Sequence, residues 1–265
     1  MHKLKNDPKE IVSSFVQEEL SGDIVQLKNY CFADLKKTPW GKCNSGFDCD
    51  NTLLANAIYV LLWGGKGNFY PDLTLESVGT GRFYRGDTMN SFRSALGNLS
   101  KEENRLYWEN ICLRDEVCIF FNKYHTIGNF TVLPNRAYEK NTFNMARGCK
   151  FGDFFDVFLL EMEKVLNGVP NQCDVLAQLV NANFEDFSNR TLSDFAKALL
   201  WEDYMDTDCG KPVTIFKDHH TFRSKIRSSE PEKYCNFAKD YISKATQIID
   251  HRTDRILVLL QEKLR

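Results

Sequence analysis

The sequence predicts an α+β fold, mostly helices around a small central sheet of short strands. Two observations predict it. Apolar residues recur at spacings of three and four through most of the chain. Only the middle third carries stretches of Gly, Thr and aromatic residues that read as short strands between turns. The 265 residues are expected to form one domain, 1–265, with a long C-terminal helix at about 231–263 packed on the body.

Asp7-Pro8 starts the first helix, because Asp caps well and Pro is tolerated in a first turn. Ile11, Phe15 and Val16 form its apolar face. A second helix is expected from Asp23 to Asp34, then loop from Thr38 to Asp50. Leu53, Leu54, Ala57, Ile58, Leu61 and Leu62 mark a buried helix, capped by Asp48 or Asp50 and stopped by Gly64-Gly65. Short strands are expected at Leu73–Val78 and Arg82–Tyr84. Asp87 would then cap a helix over Thr88–Leu96, and another would run from Ser100 to Lys123. Ile127–Leu133 reads as a strand ending at Pro134. Phe154, Phe155, Phe158, Leu159, Met162, Val165 and Leu166 make the clearest amphipathic helix, starting from an Asp153 cap. Helices follow at Gln172–Ala182 and Leu192–Tyr204. After a polar loop from Asp206 to Glu230, the last begins at Pro231 and lines up Phe237, Tyr241, Ala245, Ile248, Ile256 and Leu259.

Composition narrows the function classes. Hydrophobic residues are 43% and charged residues 26%, ordinary for a folded soluble chain, while 20 Phe imply an aromatic core. A net charge of −2 gives no indication of nucleic-acid binding. No apolar run reaches the ~18 residues of a membrane span. Nine Cys with no leader-like apolar segment read as reduced thiols, so a cytoplasmic location is expected. In that compartment the sequons at Asn98, Asn129 and Asn189 carry no glycan.

Familiar chemical motifs fail on context. Asp48-Cys49-Asp50-Asn51-Thr52 matches the Asp-x-Asp-x-Thr of haloacid-dehalogenase-like phosphatases, and Gly152-Asp153-Phe154-Phe155-Asp156 resembles their later acidic motif. The first Asp there must end a buried strand, and residues 41–46 do not read as one. The Gly81–Thr88 segment has P-loop glycine spacing but sets Asp87 where the phosphate-gripping Lys belongs. Phe83-Tyr84-Arg85-Gly86 with Glu161-Met162-Glu163 resembles ADP-ribosyltransferase elements, yet the E-x-E falls inside a helix. Asp218-His219-His220 resembles a metal-phosphoesterase motif without its flanking strands. Cysteine spacings do not suit a metal, and no metal site is expected.

What remains is a constellation of polar residues beside glycines at element boundaries, where sites are built. His125 is the candidate acid/base, with Asp87 and Asp153 orienting it. Arg85 and Arg147 are candidate anion clamps, and Tyr84, Thr88, Tyr124 and Asn144 candidate ligand contacts. A helix beginning at Asp87-Thr88 would offer its N-terminus to an anion. The plainer alternative makes the Asp residues helix caps, the Gly residues turns, and His125 a satisfied half-buried side chain.

Asp50-x-x-Leu53 through Trp63, Gly86-Asp87-Thr88-x-x-Ser91, Tyr124-His125-Thr126-Ile127-Gly128-Asn129-Phe130-x-x-Leu133-Pro134, Asn144-x-x-Arg147-Gly148 and Asp153-x-x-Asp156-x-Phe158 together resemble an uncharacterised family of Firmicutes-type bacteria and prophages, over residues 47–166. The resemblance implies a bacterial cytoplasmic protein and carries no activity or cofactor with it. Two functional readings follow. The first is a protein that binds or acts on a phosphate-bearing small molecule such as a nucleotide, and it expects the candidate residues to converge. The second is a non-catalytic, mobile-element-associated interaction module using its C-terminal helix, with an exposed stripe at Phe237, Tyr241 and Ile248 and a basic end at Arg252, Arg255, Lys263 and Arg265.

Overall fold

Helix α1 (Pro8–Glu19) begins where the Asp-Pro pair predicts it. The Asp7 carboxylate accepts the Lys9 amide at 2.8 Å, and Pro8 sits in the first turn, where its missing N–H costs nothing. This computed structural model describes residues 7–43, 46–79, 82–89, 119–120, 122–140, 142–143, 155–171, 175–184, 190–213, 215 and 231–265, with backbone alone for 231–240. Its architecture is helix-rich α+β, with a small two-stranded antiparallel sheet among the described residues.

The expected helix over Asp23–Asp34 is replaced by two 3-10 turns, Ile24–Asn29 and Phe32–Lys37. The reason is tertiary: the Phe32 amide is drawn to the His125 carbonyl at 2.9 Å, which interrupts any continuous helical ladder. Helix α2 (Leu53–Trp63) is capped by Thr52, not by Asp48 or Asp50. The Thr52 hydroxyl accepts the Ala55 amide at 3.2 Å, while Asp50 lies in the preceding 3-10 turn Cys49–Asn51. The helix ends at Gly64, where a Cβ would drive into the carbonyls of Val60 and Leu73.

Residues Leu75–Gly79, expected as part of a strand, form the short helix α3. The Thr74 amide donates to the Ser77 hydroxyl at 2.8 Å and the Ser77 amide to the Thr74 hydroxyl at 3.1 Å, a reciprocal cap that overrides the local strand tendency. Strand β1 (Phe83–Asp87) pairs antiparallel with β2 (Phe130–Pro134), so that Arg85 faces Val132 and Asp87 faces Phe130. Asp87 is therefore the last strand residue and not a helix cap. Residues 90–118 lie outside the described residues, and with them most of the expected Thr88–Leu96 and Ser100–Lys123 helices; Thr88 and Met89 themselves are not helical.

Helix α4 (Phe155–Leu166) follows the predicted periodicity, with Phe155, Phe158, Leu159 and Met162 buried. Helix α5 (Leu176–Asn183) covers the later part of its expected range. The expected Leu192–Tyr204 helix divides: α6 (Leu192–Leu199) ends at Leu200 in the left-handed region (φ 58°), and a 3-10 turn follows at Glu202–Tyr204. Helix α7 (Pro231–Leu264) packs against α1, α2 and the Ile127–Asn129 turn. None of the described helices is long and apolar enough to cross a membrane.

The aromatic core is as the composition predicts. Phe155 meets Trp201 at 4.9 Å and Tyr204 at 5.1 Å, and Phe184 meets Phe195 at 5.0 Å. Tyr241, Ala245, Ile248 and Ile256 of α7 are buried in this body. The apolar stripe is thus core along its described side chains, which corrects the expectation of an exposed interaction face. The basic end is largely spoken for as well. Arg252 is fully buried, and Arg255 is paired with Asp203 at 3.1 Å and Glu202 at 3.3 Å.

Candidate functional site

The site forms where β1 ends against residues 122–129. Side chains two apart on a strand share a face, so Arg85 and Asp87 project to the same side of the sheet, while Tyr84 projects to the other. The Tyr124 hydroxyl donates a hydrogen bond to the Asp87 carboxylate across 37 residues of sequence. The His125 ring packs edge-on against the Tyr124 ring at 4.8 Å. The Arg85 guanidinium donates to the Val78 carbonyl at 2.7 Å and lies 5.9 Å from the centre of the exposed Tyr84 ring.

Beneath this face lies a floor the sequence does not advertise. Tyr59, fully buried on α2, donates to the Asp50 carbonyl at 2.9 Å. Burial, then the charges of Asp50 and Asp87, push its hydroxyl well above the ordinary tyrosine range, with Arg85 and Arg252 opposing. Cys49, next to Asp50, is also buried, and its thiol is pushed up to about 12 by burial and then by Asp48, Cys31, Asp87 and Asp50. It is a protonated, inert sulfur at neutral pH and no nucleophile.

Asn129 joins these parts. Its Oδ1 accepts the Thr88 hydroxyl at 2.9 Å and the Met89 amide at 2.8 Å, and its Nδ2 donates to the Tyr124 carbonyl at 2.9 Å. Its backbone carbonyl takes the Thr88 amide at 2.7 Å. The amides of Thr88 and Met89, expected as an anion-receiving helix start, are therefore consumed internally. Thr88 itself is buried and accepts a hydrogen bond from Tyr204, so it belongs to the scaffold beneath the site. Asn129 is fully buried as well, which leaves its sequon no room for a glycan.

Of the nine candidate residues, Asp87, Tyr124 and His125 are brought together, Arg85 shares the strand face of Asp87, Tyr84 turns to the opposite face, and Thr88 lies underneath. Asn144, Arg147 and Asp153 lie outside the described residues. The other motifs take structural places. Among the described residues no strand leads into Asp48 and Asp50, which lie beside and within the Cys49–Asn51 turn and not at a strand end as the phosphatase motif requires. Glu161 sits inside α4, nearly buried and paired with Lys164 at 2.5 Å. Asp156 is buried, and its carboxylate accepts the Ile215 amide at 2.9 Å. No cluster able to hold a metal occurs among the described residues.

Sequence reasoning missed Tyr59 and Arg252 as neighbours of the site, and it gave Asn129 no role. Each reads as an ordinary helix or turn residue when taken alone.

The model of a family of unknown function, DUF6994, matches residues 99–256, more than half of the chain. The chain belongs to DUF6994. The match takes in Tyr124, His125, Asn129, β2 and most of α7, while Asp50, Tyr59 and β1 precede it. It also overlaps the second part of the resemblance drawn from residues 47–166. No curated protein and no solved structure matches the chain. The DUF6994 region therefore supplies one wall of the site, and the 49–87 segment supplies the other.

Proposed function

We propose that this DUF6994 protein binds a phosphate-bearing small molecule, such as a nucleotide, at the end of strand β1, with Arg85 as the anion clamp. One observation carries the reading: Arg85 and Asp87 share a strand face, and the Asp87 carboxylate accepts from Tyr124, whose ring packs edge-on against His125. A guanidinium supplies several donors in a planar fork suited to phosphate oxygens. Arg85 donates to the Val78 carbonyl through one Nη, and the rest of its guanidinium is the part proposed to meet the ligand. His125, partly buried, supplies the imidazole proposed as the acid/base. Asp87 and Tyr124 fix the wall it rests on. Tyr84, on the opposite face of the strand, lies outside this arrangement, its exposed ring 5.9 Å from the Arg85 guanidinium.

A thermal-shift screen against nucleotides, NAD, divalent metals and short RNA tests the reading. A ligand at 100 times its Kd stabilises by about 2.7 kcal/mol, which a melting curve resolves. The expected result is stabilisation by a nucleotide that disappears in Arg85→Ala and weakens in His125→Ala. Stabilisation that survives both substitutions, or no stabilisation with both variants normally folded, overturns it.

A further inference from the structure

Arg252 is fully buried, and its hydrogen bonds among the described residues run to backbone carbonyls. Its Nε donates to the Leu200 carbonyl at 2.7 Å, and its Nη1 donates to the carbonyls of Gly128 at 2.6 Å and Phe130 at 2.7 Å. These last two residues flank Asn129. The guanidinium thus holds the peptide on both sides of the side chain that fastens Thr88, Met89 and Tyr124. A second observation joins the same two elements. A Cβ on Gly128 would penetrate the Thr253 hydroxyl and the Ile249 carbonyl, so α7 lies directly against the turn and only glycine fits there.

Burying an arginine is expensive, and burial lowers the pKa of Arg252 despite the opposing influence of Tyr204, Asp203, Tyr59 and Glu202. Satisfying a few carbonyls does not require a charge, since neutral donors would serve. One guanidinium nitrogen that donates to both carbonyls around a single residue, on a plane anchored by the Nε bond to Leu200, fixes the direction in which that residue points.

We propose that Arg252 is the positioning residue of the candidate site: through Asn129 it sets Tyr124 and Asp87, and so couples the seating of helix α7 to the site's geometry. The proposal rests on reading the Asp87–Tyr124–His125 cluster as the ligand site. Its chain of contacts runs from the α7 guanidinium to the carbonyls of Gly128 and Phe130. It continues through the Asn129 side chain to the Tyr124 carbonyl, and from the Tyr124 hydroxyl to Asp87.

The test is made on the full chain without nucleotide, so a failure of ligand binding does not enter it. Tyrosine ring and histidine imidazole carbons are labelled, and Tyr124 and His125 are assigned with Tyr124→Phe and His125→Gln. Their resonances are followed across pH in the wild type, Asn129→Ala, Arg252→Met and Arg252→Lys. Arg252→Met is expected to move the Tyr124 resonance in the same direction as Asn129→Ala, with Arg252→Lys returning part of the way. A folded Arg252→Met with Tyr124 and His125 at their wild-type shifts overturns the proposal. Should Arg252→Met fail to fold, hydrogen exchange in the wild type decides. The Thr88 and Met89 amides are expected to open together with those of residues 249–256. Exchange through a separate, more frequent opening overturns the coupling.

Discussion

The Tyr124 hydroxyl donates to the Asp87 carboxylate, joining the last residue of β1 to residues 122–129 by their side chains. A hydrogen bond to a charged acceptor contributes about 1.5–3 kcal/mol, and a partly exposed one falls at the lower end. Tyr124→Phe is therefore expected to lose about 1–2 kcal/mol in urea denaturation. Asp87→Asn should lose a comparable amount, and the double variant less than the sum. Additive losses would show that the two side chains do not act as a pair.

Gly128→Ala tests the close approach of α7. The added methyl has no space between Ile249 and Thr253, both of which belong to helix backbone or to a buried side chain. Overpacking of this kind costs typically ~1–3 kcal/mol, and a rigid helix places the expectation at the upper end. A midpoint of denaturation equal to that of the wild type would mean the helix sits further away.

Thiol reactivity separates the cysteines. Cys49 is buried with its thiol raised to about 12 from an ordinary 9.0, so its thiolate fraction near neutral pH is about a thousandfold lower than usual. Cys209 is exposed. Brief alkylation of the native protein at pH 8 followed by peptide mapping is expected to label Cys209 and leave Cys49 unmodified. Equal labelling would contradict the buried environment of the Cys49–Asn51 turn.

Glu202 makes stability depend on pH in a direction opposite to most carboxylates. Burial raises its pKa, and the neighbouring Arg255 only partly offsets this. A carboxyl whose folded pKa lies above its unfolded value binds its proton more tightly when folded. Its destabilising effect is absent below the unfolded pKa and grows as pH rises through the folded one. Glu202→Gln should flatten this loss between the ordinary carboxylate range and neutrality. Denaturation at several pH values reads it, and an unchanged slope in the variant would refute the assignment.

Much of the fold was legible because its signals are local. Asp7-Pro8, the spacing of Leu54, Ile58 and Leu62, the aromatic face of α4 and the start of α7 at Pro231 each act within a turn or two of chain. Where the reading missed, a distant group competed with the local one. The Phe32 amide goes to the His125 carbonyl, which ends a helix that the sequence around Asp23–Asp34 would otherwise support.

The sequence by itself determined the helical class, the aromatic core and the later part of the expected Ile127–Leu133 strand, whose first residues form the Ile127–Asn129 turn instead, and it singled out Asp87, Tyr124 and His125 as candidates. Tertiary structure alone decided that Asp87 ends a strand, that Thr88 is scaffold, and that Arg252 and Asn129 stand behind the site. The physical reason is separation along the chain. Asn129 meets Thr88 across 41 residues, and Arg252 meets Gly128 across 124. No periodicity or capping rule reaches that far, so a buried donor finds its carbonyl only once the helices have packed.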